Sequence, residues 1–553
     1  MRIHPSGPKI YAIRRYWYDI RRMIKGFRQI AALTALSRGL GLIRDMAYSH
    51  FFGANQLLDA WIVAFRIPNL SRRLFGEGAA SASLIPVYSE ALHGDKEDAA
   101  RLGNTVVTVM FVILSALVLL GEGGIWLYYK LFARTSETVL ILSLSSVMLP
   151  YMLFVCMIAI GAGLLNVHGH FAAPAAAPIV LNVFIVGTIL ITGWVAKLQV
   201  TAQLFYVAVS VLLAGLVEIG IQIPAFRRCG ISLRPAWAVR SEQFRKILLL
   251  MGPMILGLTA TQINTLADDL IAWWFSGSAE KGAFFELLGR RIAYPMQRGS
   301  VSHLYYAQRL YQLPLGVLGI SLATAIFPIM SADVAKKDFS ALRATVAKGL
   351  RATVFVAIPA SVGLMIVARP LICAAFEHGR FGAEDTRMVV KTLCFYSMGL
   401  CGYFAQQILA RVFYSMQDTK TPAKSALVAV LANFVLNLAL IWPMDRAGLA
   451  CATAICSYLQ VAILVTALRK RLGASIVDGL FVAFGKTLLA TAFMGAAGLA
   501  GTLLMRGLPD GGLFDVIRLA VVVPLATGAY LLAARLLRIE MLSVLTGRKG
   551  QGR

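Results

Sequence analysis

The chain of 553 residues is 58% hydrophobic and only 14% charged, with a formal net charge of +26 and a mean hydropathy of +0.72. That much apolar side chain cannot be enclosed in a water-soluble core, so the composition excludes a soluble enzyme or binding module and points to an integral membrane protein. The excess of Lys and Arg is explained by a positive-inside bias facing an anionic inner leaflet, and no nucleic acid partner is expected.

Residues 1–28 carry eight Lys/Arg interleaved with Tyr11, Tyr16, Trp17 and Tyr18. This is the pattern of a basic, aromatic segment lying against anionic lipids on the cytoplasmic face, with a plain positive tail as the alternative. It has neither the apolar stretch nor the small-residue cleavage site of a signal peptide. Apolar runs of about 20 residues, enough for a helix to cross about 30 Å of hydrocarbon, then recur. They fall at 29–50, 60–88, 102–121, 139–165, 174–195, 203–223, 247–276, 303–330, 349–368, 388–410, 423–443, 447–468, 480–505 and 514–537. Fourteen transmembrane helices are therefore expected. Lys and Arg concentrate in alternate loops, which places both termini in the cytoplasm.

The first two spans are unusual for their charge. Arg38, Arg44, Arg66, Arg72 and Arg73 lie in otherwise apolar stretches, and a guanidinium at mid-membrane depth costs about 2.5 to 3.5 kcal/mol even on lenient scales. Such groups normally face a water-filled cavity or an anion, so an intramembrane anion-binding cavity is expected. The alternatives are local: Arg44 paired with Asp45 or Asp59, Arg72 or Arg73 paired with Glu77, and Arg66 snorkelling to an interface. Gly39, Gly41, Gly76 and Gly78 lie nearby, as sites of helix bending or of ordinary close packing.

Catalytic motifs are missing. The seven cysteines and seven histidines are scattered, so neither a disulfide framework nor a metal site is expected. Gly485-Lys486-Thr487 lacks the first glycine of a phosphate-binding loop, Leu480 standing there. The interhelical loops are too short for a separate catalytic domain, so no enzymatic activity is expected.

An internal echo suggests how the chain is built. SLIPVYSE at 83–90 resembles AIFPIMSAD at 325–333, with Pro68 and Pro314 upstream of each. Six spans separate the copies, so the expected architecture is two parallel six-helix repeats plus two extra C-terminal helices, the plan of alternating access. The parts are a basic segment 1–28, an N-lobe 29–223, an inter-lobe loop 224–246, a C-lobe 247–468, a helix pair 480–537 and a cytoplasmic tail 538–553. Within the C-lobe, the segment 277–298 places Phe284, Phe285, Leu287, Leu288 and Ile292 at spacings that predict a short amphipathic helix on the outer surface.

At this point a family resemblance emerges. SRGLGLIRD, FFGA, LDAW and VAFRIPNLSRRLFGEGA, with the later GPMILGL, YYAQRL, LPLGVLGISLATAIFP and FYSMQDTKTP, resemble the MurJ/MviN family of lipid II flippases over nearly the whole chain. That family lies in an exporter superfamily with multidrug/sodium antiporters, so the resemblance implies an all-α, MATE-like polytopic fold in the bacterial cytoplasmic membrane. It also implies translocation of the undecaprenyl-pyrophosphate-linked disaccharide-pentapeptide, lipid II, to the outer leaflet for peptidoglycan synthesis, with cell-wall enzymes as further partners. A pyrophosphate suits planar guanidinium groups, which grip clustered oxygens through paired hydrogen bonds. The family positions are Arg38, Arg44, Arg72 and Arg309, so both halves would contribute cations to one cavity. Asp45, Asp59 and Glu77 are assigned as counter-charges, gates or helix-orienting groups.

Without an ATP site, the energy would come from membrane potential or an ion gradient. Asp268, Asn433, Asn437 and Thr453 would converge as an oxygen-lined cation site, and the family places a sodium site among these helices; hydrogen bonding between helices is the alternative. The helices of 480–537 would form a groove for the polyprenyl tail, or simply pack on the bundle. Two departures from the family pattern stand out: Gln308 replaces an aspartate before Arg309, and the 22 residues 277–298 are inserted. A cation-coupled drug, solute or polysaccharide-unit exporter and a non-transporting cell-wall scaffold are the competing functions.

Overall fold

The structure is a computed structural model and describes residues 32–72, 74, 79–133, 135–287, 289–509 and 511–545. The basic segment 1–28, Arg73, Gly76, Glu77, Gly78 and the last residues of the tail lie outside the described residues. The described chain is overwhelmingly helical. It opens with α1, helical over 32–52, followed by α2 (Gln56–Ser71), α3 (Ala79–Gly94), α4 (Lys96–Phe132), α5 (Ser136–Met148), α6 (Tyr151–Val167), α7 (Ala172–Leu190), α8 (Val200–Arg228) and α9 (Glu242–Trp274). After a short β segment come α10 (Ser300–Pro314), α11 (Ile320–Ala335), α12 (Phe339–Ile366), α13 (Ala368–Phe376), α14 (Ala383–Met398), α15 (Leu400–Ser415), α16 (Lys420–Met444), α17 (Arg446–Leu472), α18 (Leu480–Leu504), α19 (Gly512–Leu536) and α20 (Glu540–Leu545).

Ten helices or continuous helix pairs among the described residues are long and apolar enough to cross a membrane, and an eleventh if α14 and α15, bent by 41° at their junction, make one span. The other three expected spans, 29–50, 60–88 and 247–276, are helical where described, save for residues 275–276, which follow the end of α9, but each includes residues or side chains outside that set. The chain is a multi-pass, all-α membrane protein. Proline shapes several spans. Between α10 and α11 the helix widens into a π segment, Leu315–Gly319, directly after Pro314, because proline removes a backbone donor and displaces the preceding carbonyl. The echoed motifs fall in α3 and α11, with Pro86 and Pro328 inside the helices.

Two compact units divide the chain: residues up to Ala47 with Ala64–Leu258, and Tyr48–Val63 with Thr259–Arg553. In the first, α7 packs on α8, and α6 on α3, α4 and α8. In the second, Met330 of α11, Val346 of α12, Ile408 and Phe413 of α15 and Leu468 of α17 form a fully buried core. The C-terminal pair α18–α19 also belongs to this unit and packs on α12, where the Tyr530 hydroxyl donates to the Phe355 carbonyl at 2.6 Å.

The segment 277–298 is not helical, which corrects the amphipathic-helix expectation. Phe284–Leu287 and Arg290–Ala293 pair as antiparallel strands β2 and β3, while Ser276–Gly277 (β1) and Met296–Gln297 (β4) pair in parallel at the base. Leu287 pairs with Arg290, leaving a two-residue turn with Gly289 at φ +75°, a conformation glycine adopts at little cost and the usual requirement of a tight hairpin. Phe285 then lies in an aromatic cluster with Phe275, Tyr294 and Trp442.

The motif FYSMQDTKTP forms the corner between α15 and α16. Asp418 accepts from the Lys420 and Thr421 backbone N–H groups at 2.9 and 3.0 Å and from the Thr421 hydroxyl at 2.6 Å, and pairs with Arg471 at 2.7 Å. Burial pushes its carboxyl up, but the Thr421 hydroxyl and N–H and the Arg471 guanidinium outweigh it, so the pKa lies below the ordinary value. A depressed folded pKa contributes stability above the unfolded value, near pH 4, and this is lost as pH falls through the folded pKa. Asp418→Asn is therefore expected to cost about 1 kcal/mol at neutral pH. Thermal unfolding in detergent should show that gap narrowing below about pH 4.

Candidate functional site

The charged groups of the first unit begin on α1. Arg38 is exposed. Arg44 is half-buried, donates to Asp45 Oδ1 at 2.8 and 3.1 Å, and donates through Nη1 to Asn182 Oδ1 of α7 at 3.0 Å. Asn182 also donates to the Ser37 carbonyl at 3.4 Å, so one amide from an apolar span holds both the backbone and the guanidinium of α1. Of the counter-charge alternatives for Arg44, the structure contains the pair with Asp45. Arg72 is half-buried and donates to Asn69 Oδ1 at 3.0 and 3.3 Å. Among these partners Asp45 carries a full negative charge, while Asn182 and Asn69 are neutral amides that accept without neutralising the guanidinium groups. Among the described residues, an added Cβ at Gly39 would meet nothing within 4 Å, and at Gly41 it would meet Asn182 at 3.9 Å.

Arg309 lies in the second unit, on α10. Its guanidinium carbon stacks 4.6 Å from the centre of the Tyr305 ring and Nη2 donates to the Tyr305 hydroxyl at 3.2 Å, a cation–π arrangement that holds the charge without neutralising it. Gln308 is buried and donates to the Tyr396 hydroxyl at 3.1 Å. The substitution thus puts a neutral amide, which needs no counter-ion, beside Arg309.

Asp59 is fully buried and accepts from the Gly299 N–H at 2.6 Å, the Ser302 N–H at 2.7 Å and the Ser302 hydroxyl at 2.6 Å. It is the N-terminal cap of α10, with its negative charge against the positive end of the helix dipole. Of the roles the sequence left open, helix orientation describes its contacts. The close approach depends on glycine: Gly299 has φ +95°, and a Cβ there would lie 2.5 Å from the Ala54 carbonyl oxygen. Four residues after Gly299, His303 faces Arg446 Nη1 through Nδ1 at 2.7 Å and Asp385 Oδ1 through Nε2 at 2.9 Å. Because guanidinium only donates, Nδ1 accepts and the proton sits on Nε2, directed at Asp385.

All four residues of the candidate cation site meet in the second unit. Asn437 Nδ2 donates to Asp268 Oδ1 at 2.6 Å and to Asn433 Oδ1 at 2.9 Å. Asn433 Nδ2 donates to Thr453 Oγ1 at 3.3 Å, and that hydroxyl lies 3.4 Å from Asp268 Oδ2. With its amide rotated by half a turn, Asn433 faces Asn264 Oδ1 at 2.9 Å. Asp268, Asn433 and Asn437 are at most 2% exposed, and Asn437 Oδ1 is buried with no hydrogen-bond partner among the described residues. An all-oxygen donor set with one carboxylate and an orphaned acceptor fits a hard cation of low charge. No cluster of three or more His, Cys, Asp or Glu with metal-binding geometry occurs among the described residues.

Sequence reasoning missed Asn182, Asn264 and the His303–Arg446–Asp385 network. The signal for Asn182 was there, a lone amide in an apolar run. Asn264 lies inside α9, while His303, Asp385 and Arg446 sit in the first turns of their helices, where polar residues carry little information. A family model described as lipid II flippase MurJ matches residues 48–509.

The chain belongs to the MurJ family.

The MurJ relatives include proteins named probable lipid II flippase MurJ from Vibrio cholerae and Haemophilus influenzae. Each is 32% identical; the matches cover 80% and 84% of this chain and 82% and 90% of theirs. A lipid II flippase MurJ from Burkholderia cenocepacia is 29% identical over 81% of this chain and 84% of its own. In fold, the chain is similar to a lipid II flippase MurJ solved in an inward closed conformation, with a TM-score of 0.74 at 24% identity over 93% of this chain and 99% of that one. A multidrug resistance MATE family transporter of the MOP superfamily aligns with a TM-score of 0.60 at 13% identity, over 80% of this chain and 94% of that one. The MATE-like fold expectation is thereby met.

The Asp59 cap should be measurable in isolation. Asp59→Asn removes the charge and turns an NH2 group toward the Gly299 or Ser302 donors. The expected loss is about 1–3 kcal/mol, read as a lower melting temperature of the purified protein; an unchanged melting curve would contradict the assigned role.

Proposed function

We propose that the chain flips lipid II from the inner to the outer leaflet of the bacterial cytoplasmic membrane by alternating access, with both termini in the cytoplasm, and performs no covalent chemistry. The observation that carries this reading is a set of guanidinium groups, Arg44, Arg72 and Arg309, held in otherwise apolar helices, with one carboxylate, two amides and a tyrosine among their partners. Together with Arg38 they supply the planar, permanently charged donors that a pyrophosphate requires. A drug antiporter would place its essential charges mainly as carboxylates, and a scaffold has no use for guanidinium groups inside the bilayer. The lipid II head group travels through polar space, and the polyprenyl tail follows the apolar surface of α18–α19, where Phe481 and Leu504 are each 85% exposed.

The test is rescue of a bacterium depleted of its own flippase. The wild type should restore growth and outer-leaflet precursor, while Arg38→Ala, Arg44→Ala, Arg72→Ala and Arg309→Ala, at equal membrane expression, should each lower flipping by about tenfold or more. Full activity in all four variants would refute the assignment.

Transport is driven by a cation gradient acting at Asp268, Asn433, Asn437 and Thr453, with sodium as the ion, or by membrane potential, worth about 2.3 kcal/mol per charge per 100 mV. Asp268→Asn distinguishes them. Flipping in vesicles should lose its response to an imposed sodium gradient, whereas retention of that response would exclude the site.

A further inference from the structure

A polar concavity lies in the first unit, built from residues that the flipping reading does not use. The segment 231–238, after α8, is neither helix nor strand and leads into a turn at 239–240. The backbone N–H groups of Arg234, Ala236 and Ala238 donate to Asn104 Oδ1 at 3.2 Å, Thr108 Oγ1 at 3.1 Å and Thr105 Oγ1 at 3.3 Å. Every second residue donates, the period of an extended strand, and the three acceptors share one face of α4. The strap is therefore fixed to the helix by its own backbone. Between the strap, the first turns of α4 and the start of α9 is a cavity of about 620 Å³, lined by Asp98, Arg101, Trp237, Arg240, Ser241 and Gln243 among others.

We propose that this cavity binds the phosphoethanolamine head group of a membrane lipid, with the phosphate on Arg101 and Arg240 and the ammonium on Asp98. Arg101, Arg240 and Asp98 have no ion-pair or side-chain hydrogen-bond partner among the described residues, so two cations and one anion from two separate elements face a volume in the range of ligand pockets. Two guanidinium groups match a phosphodiester. A primary ammonium brings N–H donors that a lone carboxylate accepts, whereas a quaternary ammonium has none. Trp237, 63% exposed, supplies the amphipathic ring typical of the membrane–water interface, and the sequence assigns this end of α4 to the cytoplasmic side. The site is separate from the flipping reading and does not rest on it.

Native mass spectrometry of the full-length protein in detergent tests the proposal, with phosphatidylethanolamine, phosphatidylcholine and phosphatidylglycerol offered in parallel. Phosphatidylethanolamine should be retained about tenfold or more over the other two. Arg101→Gln combined with Arg240→Gln should remove that retention, Asp98→Asn should level phosphatidylethanolamine with phosphatidylcholine, and Arg101→Lys with Arg240→Lys should keep most of the binding. These side chains are exposed, and an unchanged melting temperature certifies each variant. Equal lipid retention by wild type and the double Gln variant would overturn the proposal. So would displacement of the lipid by millimolar inorganic phosphate, which would reassign the arginines to a soluble phosphate compound.

Discussion

Charge inside hydrocarbon is the constraint on which the structure depends. Each ionic or polar group within these helices must find a partner or a wet surface, because desolvation without compensation costs several kcal/mol. The chain meets this in different ways. Asp59 takes three donors at one helix start; Asp268 takes an amide from Asn437; Arg44 divides its donors between a neighbouring carboxylate and a distant amide. Arg309 leans on an aromatic face. The first arrangement fixes backbone geometry around a carboxylate and the second joins two side chains, while the arginines combine a carboxylate, amide oxygens and an aromatic ring.

That difference separates framework from working parts. A carboxylate that accepts from two backbone N–H groups and a hydroxyl at one helix start can change partners only if that helix end moves, so the contacts of Asp59 are those of a helix-orienting group. A guanidinium held by amide oxygens and a ring can exchange those partners for phosphate oxygens at small cost, since phosphate oxygens accept from the same donors. The cluster around Asp268 lies between the two. Its amides and hydroxyl form a closed hydrogen-bond circuit, yet the same oxygens can turn toward a cation, and the unused Asn437 Oδ1 makes that turn easier.

Much of this was legible in the sequence because a membrane simplifies the code. Runs of apolar residues locate the helices, and a polar residue inside one is conspicuous, which is why Arg38, Arg44, Arg66, Arg72, Arg73 and the Asn433–Asn437 pair, one turn apart, stand out, whereas Arg309 is singled out by the family resemblance. The partners were less visible. Nothing in the sequence around Asp59 indicates that its donors lie 243 residues away. The hairpin at 284–293 was misread because five apolar residues in a short stretch fit a helical face as well as two strands, and the deciding Gly289 is one residue in the turn. The strap at 231–240 carries no periodic signal, since its register is set by hydroxyls and an amide on α4.

The Asp59 cap also bears on how the protein is made. Residues 48–63 leave the ribosome early yet belong with a unit that starts at Thr259. Their cap acceptor therefore waits for Gly299 and Ser302 to be synthesised, and at roughly 5–20 residues per second that interval is on the order of tens of seconds. During biogenesis, a buried-to-be carboxylate stands in the translocation machinery without its helix. The first helical hairpin can be inserted early but docked only late, so maturation of this corner is post-insertional and sensitive to anything that delays the middle of the chain.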